Sequence, residues 1–186
     1  MTILEKTLQS LQPGTPQTFG GVTILPLRAR PVGPAVTFFY PEVVDIREQE
    51  GAATVGCIQV ENLTDLPLLL LAGELLEGAR QNRLVNASTL VAPRTRHDLK
   101  VSCVEQGRWA YGAARGHRFS ASGQTAPWHL RARATRRSSR SKLRRGAPEA
   151  DQQTVWQDVD RYLQRKRVHS STSDLIAATA HSTSRG

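Results

Sequence analysis

Two stretches of this chain hold residue types that a hydrophobic core does not need. Gly73–Arg83 reads GELLEGARQNR, and further along Val101–Trp109 reads VSCVEQGRW. Arginine presents a planar fork of N–H donors that suits phosphate or carboxylate oxygens, and glutamine suits hydroxyls or a base edge. A glutamate can bind hydroxyls or move a proton. A thiol becomes a nucleophile where a positive neighbour lowers its pKa. The chemistry expected is an anion-accepting site. Glu105, Glu77 and Cys103 are its candidate catalytic groups. Glu74, Arg80, Gln81, Arg83, Arg108 and Trp109 are its candidate ligand-binding groups. No base for Cys103 is evident, which favours a supporting role. Bland readings stay open beside these: Cys103 as a small buried hydrophobe, Trp109 as a core anchor, and the arginine–glutamate run as a solvated hairpin.

The elements that must position these residues are mostly strands. On LKVSCVE, Leu99, Val101, Cys103 and Glu105 share one face by period two, so Cys103 and Glu105 stand about 7 Å apart. If residues 80–86 are a strand, Arg80 and Asn82 face opposite to Gln81 and Arg83. Gly78 allows a tight turn or a close backbone approach. TVGCIQVEN is a further strand, NLTDLP a turn, and LPLLLLAGELLEG a buried strand in spite of its helix-favouring leucines and glutamates. Thr18–Leu27 also reads as a strand. The segment 28–51 holds three prolines and reads as irregular, with a short strand or helix near Val43–Ile46. The fold class expected is mainly β: an antiparallel sandwich or barrel-like domain with one or two C-terminal helices. In APEADQQTVWQDVDRYLQRKR, Val155, Trp156, Val159, Tyr162 and Leu163 make one helical apolar face, with Trp156 as its anchor. SSTSDLIAATA reads as a second helix with Ser or Thr as N-cap. The expected organisation is an N-terminal extension (1–17), a β domain carrying the site (18–111), a basic mobile loop (112–146) and a C-terminal helical region of the same domain (147–186).

Composition limits the function classes. The chain has 186 residues, 39% of them hydrophobic and 22% charged, as in a soluble globular protein. No apolar run is long enough for a membrane span, and the N-terminus lacks the features of a signal peptide, so a cytoplasmic protein without membrane partners is expected. Two thiols are then favoured over a Cys57–Cys103 disulfide. The net charge of +9 is uneven: residues 1–100 carry 9 Lys/Arg against 10 Asp/Glu, and residues 101–186 carry 16 against 6. WHLRARATRRSSRSKLRR contributes eight basic residues and no acid. It supports an alternative function, a non-enzymatic module that contacts nucleic acid or another polyanion through residues 131–145. Only Trp128 at its edge offers an aromatic ring, so base stacking is not expected. There is no phosphate-binding glycine loop and no G-x-S-x-G. His97, His117, His129, His169 and His181 show no metal-ligand spacing, so no metal and no particular cofactor are indicated.

GELLEGARQNR, VSCVEQGRW, DQQTVWQDV and SSTSDL together resemble a bacterial domain family named for its association with ADP-ribosylglycohydrolases and rhodanese-like phosphatases. The resemblance spans roughly residues 18 to 178. The matching positions are Gly73, Glu74, Gly78, Gln81, Arg83, Cys103, Glu105, Gly107, Arg108 and Trp109, then Gln153, Trp156 and Ser171. It implies a β-rich domain with a polar active or binding site. The neighbours in the name imply a small anionic, nucleotide-derived ligand such as ADP-ribose or an NAD-related molecule. Arg80, Arg83 and Arg108 would then neutralise phosphates, and Glu74, Glu77 or Glu105 would hold ribose hydroxyls or act as general acid or base. In two respects the chain departs from the family pattern. Family members usually continue beyond the helical region, which leaves open whether this chain is a shortened member. The arginine density of 131–145 also exceeds what the pattern requires.

Overall fold

The computed structural model describes residues 3–29, 37–38, 43–49, 55–108, 117–146 and 151–183. The chain divides into two compact units, Met1–Ala35 and Val36–Gly186. The first unit holds helix α1 (Ile3–Gln9) and strands β1 (Gln12–Pro13), β2 (Gln17–Phe19), β3 (Val22–Ile24) and β4 (Leu27–Arg28). β2 and β3 form a hairpin whose turn is Gly20–Gly21, both at positive φ, as a two-residue turn demands. The single strand expected over 18–27 is therefore a hairpin, broken by its own glycine pair. This unit runs to Ala35.

The second unit is built on a closed barrel of six strands, so of the two mainly-β alternatives, sandwich or barrel, the fold is a barrel. They are β6 (Val44–Arg47), β7 (Cys57–Asn62), β9 (Glu74–Gly78), β10 (Arg83–Val85), β12 (Arg96–Cys103) and β13 (Arg118–Thr125), and their order is β10-β12-β7-β6-β13-β9. Every pairing within the barrel is antiparallel. A side sheet joins β5 (Thr37–Phe38), β8 (Leu68–Leu70) and β11 (Thr89–Val91). The NLTDLP turn is organised by Asn62. Its side-chain amide donates to the carbonyls of Leu66 and Ala92, and its Oδ1 accepts from the Thr64 backbone and hydroxyl.

Period-two alternation divides the apolar residues between two cores. Ile46, Ile58, Val60, Leu76, Val85, Leu99, Val101 and Phe119 belong to one cluster, and Leu75, Leu84 and Val104 to another. The second cluster is completed by three helices: α2 (Trp128–Arg145), α3 (Gln152–Lys166) and α4 (Leu175–Thr183). On α3 the buried face is Val155, Val159, Tyr162 and Leu163, while Trp156 is half-buried beside it. Asp151 caps α3 by accepting from the Gln153 N–H. Asp174 Oδ1 accepts from the Ile176 N–H at the start of α4, in the capping role expected of Ser or Thr.

The stretch 112–146, expected to be a loop, holds β13 and the whole of α2. The shortage of large apolar residues misleads there. Leu130, Ala134 and Ser138, one turn apart, are all buried, so small side chains let α2 lie close to the barrel wall. Alanine and arginine are also strong helix formers.

Candidate functional site

The two motifs meet through the sheet ladder. β10 lies between β9 and β12, so Arg83 pairs with Leu76 on one side and with Cys103 on the other. Residues 79–82 are not strand: the chain turns at Gly78 (φ 128°) and at Ala79, which adopts φ 41°. A Cβ on Gly78 would stand 2.6 Å from the Arg118 carbonyl oxygen of the neighbouring β13, so no other residue fits. The turn carries Gln81, Asn82 and Arg83 into the interior together instead of alternating them across a sheet; each is at least 97% buried.

Beyond β12 the chain makes an isolated bridge between Glu105 and Asp174. Gly107 passes so close to Thr172 that a Cβ would lie 2.9 Å from the Thr172 Cα. Around this crossing Glu105 and Arg108 form a closed clasp. Arg108 Nε donates to Glu105 Oε1 at 2.8 Å, and its Nη2 stands 2.8 Å from Glu105 Oε2. Thr172 Oγ1 and the Asn82 N–H supply further donors to the same carboxylate. The rest of the guanidinium donates to the carbonyl of Ala79 and to Asn82 Oδ1. Asn82 in turn donates to Asp174 Oδ1 at 3.0 Å. Each oxygen of the buried Glu105 carboxylate thus accepts two donors, and Arg108 uses all three of its nitrogens inside the protein. The clasp sutures the β9–β10 turn to the segment that leads into α4.

A second polar group lies deeper. The Arg83 side chain is wholly buried in the barrel with its guanidinium carbon 5.9 Å from the Phe119 ring centre. Its Nη2 faces Glu48 Oε1 at 3.4 Å and its Nη1 donates to Gln81 Oε1 at 3.3 Å. Gln81 passes the connection on, donating to the Glu105 carbonyl at 2.9 Å. Arg83 Nε and Glu48 Oε2 have no hydrogen-bond partner among the described residues. This ion pair is long and single-stranded where the Arg108 pair is short and forked. Glu48, directly after β6, carries no motif signature in the sequence; only the fold brings it to Arg83.

Cys103 sits opposite Arg83, its thiol within 3.4 Å of the Glu105 carbonyl. Burial pushes its pKa up. The Glu105 backbone contact and the Arg83 charge oppose that shift without overcoming it. A weaker pull comes from the Trp156 indole N–H, which lies short of a hydrogen bond of ordinary geometry. Gln152 fixes the Cys103 backbone from α3, with its amide bonded to both the N–H and the carbonyl. Cys57 and Cys103 are both buried thiols rather than a disulfide.

Of the residues expected at the site, Gln81, Arg83, Cys103, Glu105 and Arg108 come together. Glu77 is exposed on β9, near enough for its charge to act on Arg108, and Arg80 is half-buried in the turn. Glu74 begins β9, two residues before the partner of Arg83, and joins neither the clasp nor the Arg83 group. Its Oε2 is buried without a hydrogen-bond partner among the described residues, and desolvation raises its pKa. Trp109 lies outside the described residues. No helix among the described residues is long and apolar enough to cross a membrane.

A search of curated proteins and of solved structures finds no match. A family model does match, over residues 10–185, and that span takes in both motifs, the barrel and all three of the helices packed on it. The chain therefore belongs to the family described as the ARG and Rhodanese-Phosphatase-superfamily-associated Protein domain.

Proposed function

We infer that the barrel end around Arg83 binds a small anionic ligand, of the nucleotide-derived class to which ADP-ribose and NAD-related molecules belong. One observation carries the reading: a fully buried guanidinium is met by a single carboxylate contact at 3.4 Å, and both partners keep an unmatched polar atom. Such a charge is costly inside a fold unless paired and hydrogen-bonded, and polar groups held at that cost are often functional. Arg83 is the phosphate- or carboxylate-binding group, and Gln81 and Glu48 are candidate partners for its hydroxyls. Arg80 is half-buried and Glu77 exposed. Arg108 and Glu105 act on the ligand through position, because their donors and acceptors are already engaged with each other. The ligand class rests on the family's name, which links it to ADP-ribosylglycohydrolase and rhodanese–phosphatase proteins.

Binding is favoured over turnover for the same chemical reasons. The Glu105 carboxylate is already engaged by Arg108, Thr172 and the Asn82 N–H, and burial pushes the Cys103 thiol pKa up, away from the thiolate a nucleophile needs. Calorimetry with ADP-ribose, NAD, simple nucleotides and sugar phosphates, run beside chromatography for hydrolysis products, tests both parts. Saturable binding of ADP-ribose without product formation is the expected result. Arg83→Ala should weaken it about ten- to a hundredfold, as the loss of a charge-assisted hydrogen bond of ~1.5–3 kcal/mol requires. Absence of binding by the folded wild type defeats the reading, and steady product release defeats its non-catalytic part.

A further inference from the structure

Helices α2 and α3 enclose a groove of about 410 Å³ lined by His129, Arg133, Asp158, Arg161, Gln164 and Arg165. Asp158 is 5% exposed at its floor. It gathers Arg133 at 2.7 Å, Arg161 at 3.4 Å and Arg137 at 3.7 Å. Arg165 closes the row against His129. One buried carboxylate thus organises three guanidiniums whose charge it cannot balance, and Arg165 adds a fourth beside them. The other acid of α3, Asp160, lines a different depression with Arg167 and His169.

The groove does not end there. At 3.6 residues per turn, Arg133, Arg136, Arg137, Arg140 and Arg144 fall in one stripe of α2 about 100° wide. That stripe lies beside the buried line of Leu130, Ala134 and Ser138. Arg136, Arg140 and Arg144 are exposed, and α2 contains no acidic residue to interrupt them. At 1.5 Å per residue the stripe runs about 16 Å from Arg133 to Arg144. A compact phosphate would need only the groove. A row of cations that continues along the helix matches a linear polyanion with regularly spaced charges. Trp128 is 73% exposed with Arg131 over its ring, and it lies off the stripe, so ring stacking is not part of the arrangement.

We propose that the α2–α3 groove and the arginine stripe leading from it bind the phosphodiester backbone of nucleic acid, without reading sequence, independently of the barrel-end site. Asp158 is the positioning residue that holds Arg133, Arg137 and Arg161 in place. Arg133, Arg161 and Arg165 grip one segment of backbone, and Arg140 and Arg144 track the next.

The test is fluorescence anisotropy with fluorescein-labelled single strands of about 20 nucleotides, as RNA and as DNA, titrated over a range of salt concentrations. The full-length protein should bind both with similar affinity and with a linear fall of log K against log salt. Arg140→Gln/Arg144→Gln should reduce that slope by about 1.4, two phosphate contacts on a single strand. Arg161→Gln/Arg165→Gln, on the other wall of the groove, should weaken binding and flatten the slope in the same way. Arg94→Gln/Arg96→Gln removes the same charge from exposed positions outside the groove and the stripe and should leave binding unchanged. All of these substituted positions are exposed to solvent, and circular dichroism of each variant verifies that the helices persist. No binding at low salt overturns the proposal. So does an equal loss in the Arg94/Arg96 control, which would mean net charge alone acts. Binding of only RNA or only DNA overturns the backbone-only reading. Competition by inorganic pyrophosphate at equal phosphate concentration would mean a compact-anion site instead.

Discussion

At the scale of single residues, Arg108 and Arg83 differ in what their loss should do. Arg108→Ala strips a forked partner from a buried carboxylate and empties acceptors at Ala79 and Asn82. A destabilisation of about 3–5 kcal/mol is expected in urea unfolding, as for other broken buried ion pairs. A loss below about 1 kcal/mol would show that the clasp does not hold the fold. Sequence chemistry identified this arginine but assigned it to phosphate, because residue type and spacing do not reveal that Ala79, Asn82 and Glu105 would surround it. Cys103 should resist alkylation at neutral pH until the protein unfolds, since burial raises its pKa. Rapid labelling of the native protein would contradict that environment. Glu74 offers a test of sign. Its carboxyl has a raised pKa in the fold, so the folded state favours the protonated form. Its contribution to stability is present below the unfolded-state value and is lost as pH rises through the folded-state value. Glu74→Gln should therefore raise the melting temperature at neutral pH and leave it almost unchanged at about pH 4. A stabilisation that is equal at both pH values would mean that ionisation is not its cause.

At the scale of elements, the strands were the legible part. Period-two alternation marked β7 and β12, turn chemistry marked Asn62 and its neighbours, and the proline and glycines of LPLLLLAGELLEG marked strand where the fold has two, β8 and β9. The helical face of α3 was legible from Val155, Val159, Tyr162 and Leu163. Two things were hidden. β13, RFSASGQT, has only Phe119 buried along its length, so its place between β6 and β9 depends on distant partners rather than on local pattern. α2 packs through Leu130, Ala134 and Ser138, a stripe too small and polar to register as amphipathic. The α4 start joins helix to clasp, for Asp174 both caps the helix and accepts from Asn82. Asp174→Ala should cost about 0.5–2 kcal/mol for the cap alone, and the loss of the Asn82 contact adds to it. Double-mutant cycles with Asn82→Ala would separate the two. Full additivity would show that the observed contact carries no coupling.

At the scale of the whole chain, the barrel wall separates two apolar clusters, and the candidate site lies where strands β9, β10 and β12 meet the turn that leads to the helices. The positive charge, concentrated after residue 100, is carried chiefly by α2 and α3, on the far side of that wall from Arg83. The central claim concerns Arg83: it is kept buried for a ligand rather than for stability. The most direct measurement replaces the pair by Arg83→Met together with Glu48→Leu, then compares unfolding free energy and ADP-ribose affinity with the wild type. Buried ion pairs exchanged for apolar groups of similar volume are often neutral or stabilising. The account predicts a variant at least as stable as wild type that no longer binds ADP-ribose in the calorimeter. A variant that binds as well as wild type, or one that loses several kcal/mol of stability while retaining its ligand, would contradict it and make Arg83 a structural residue.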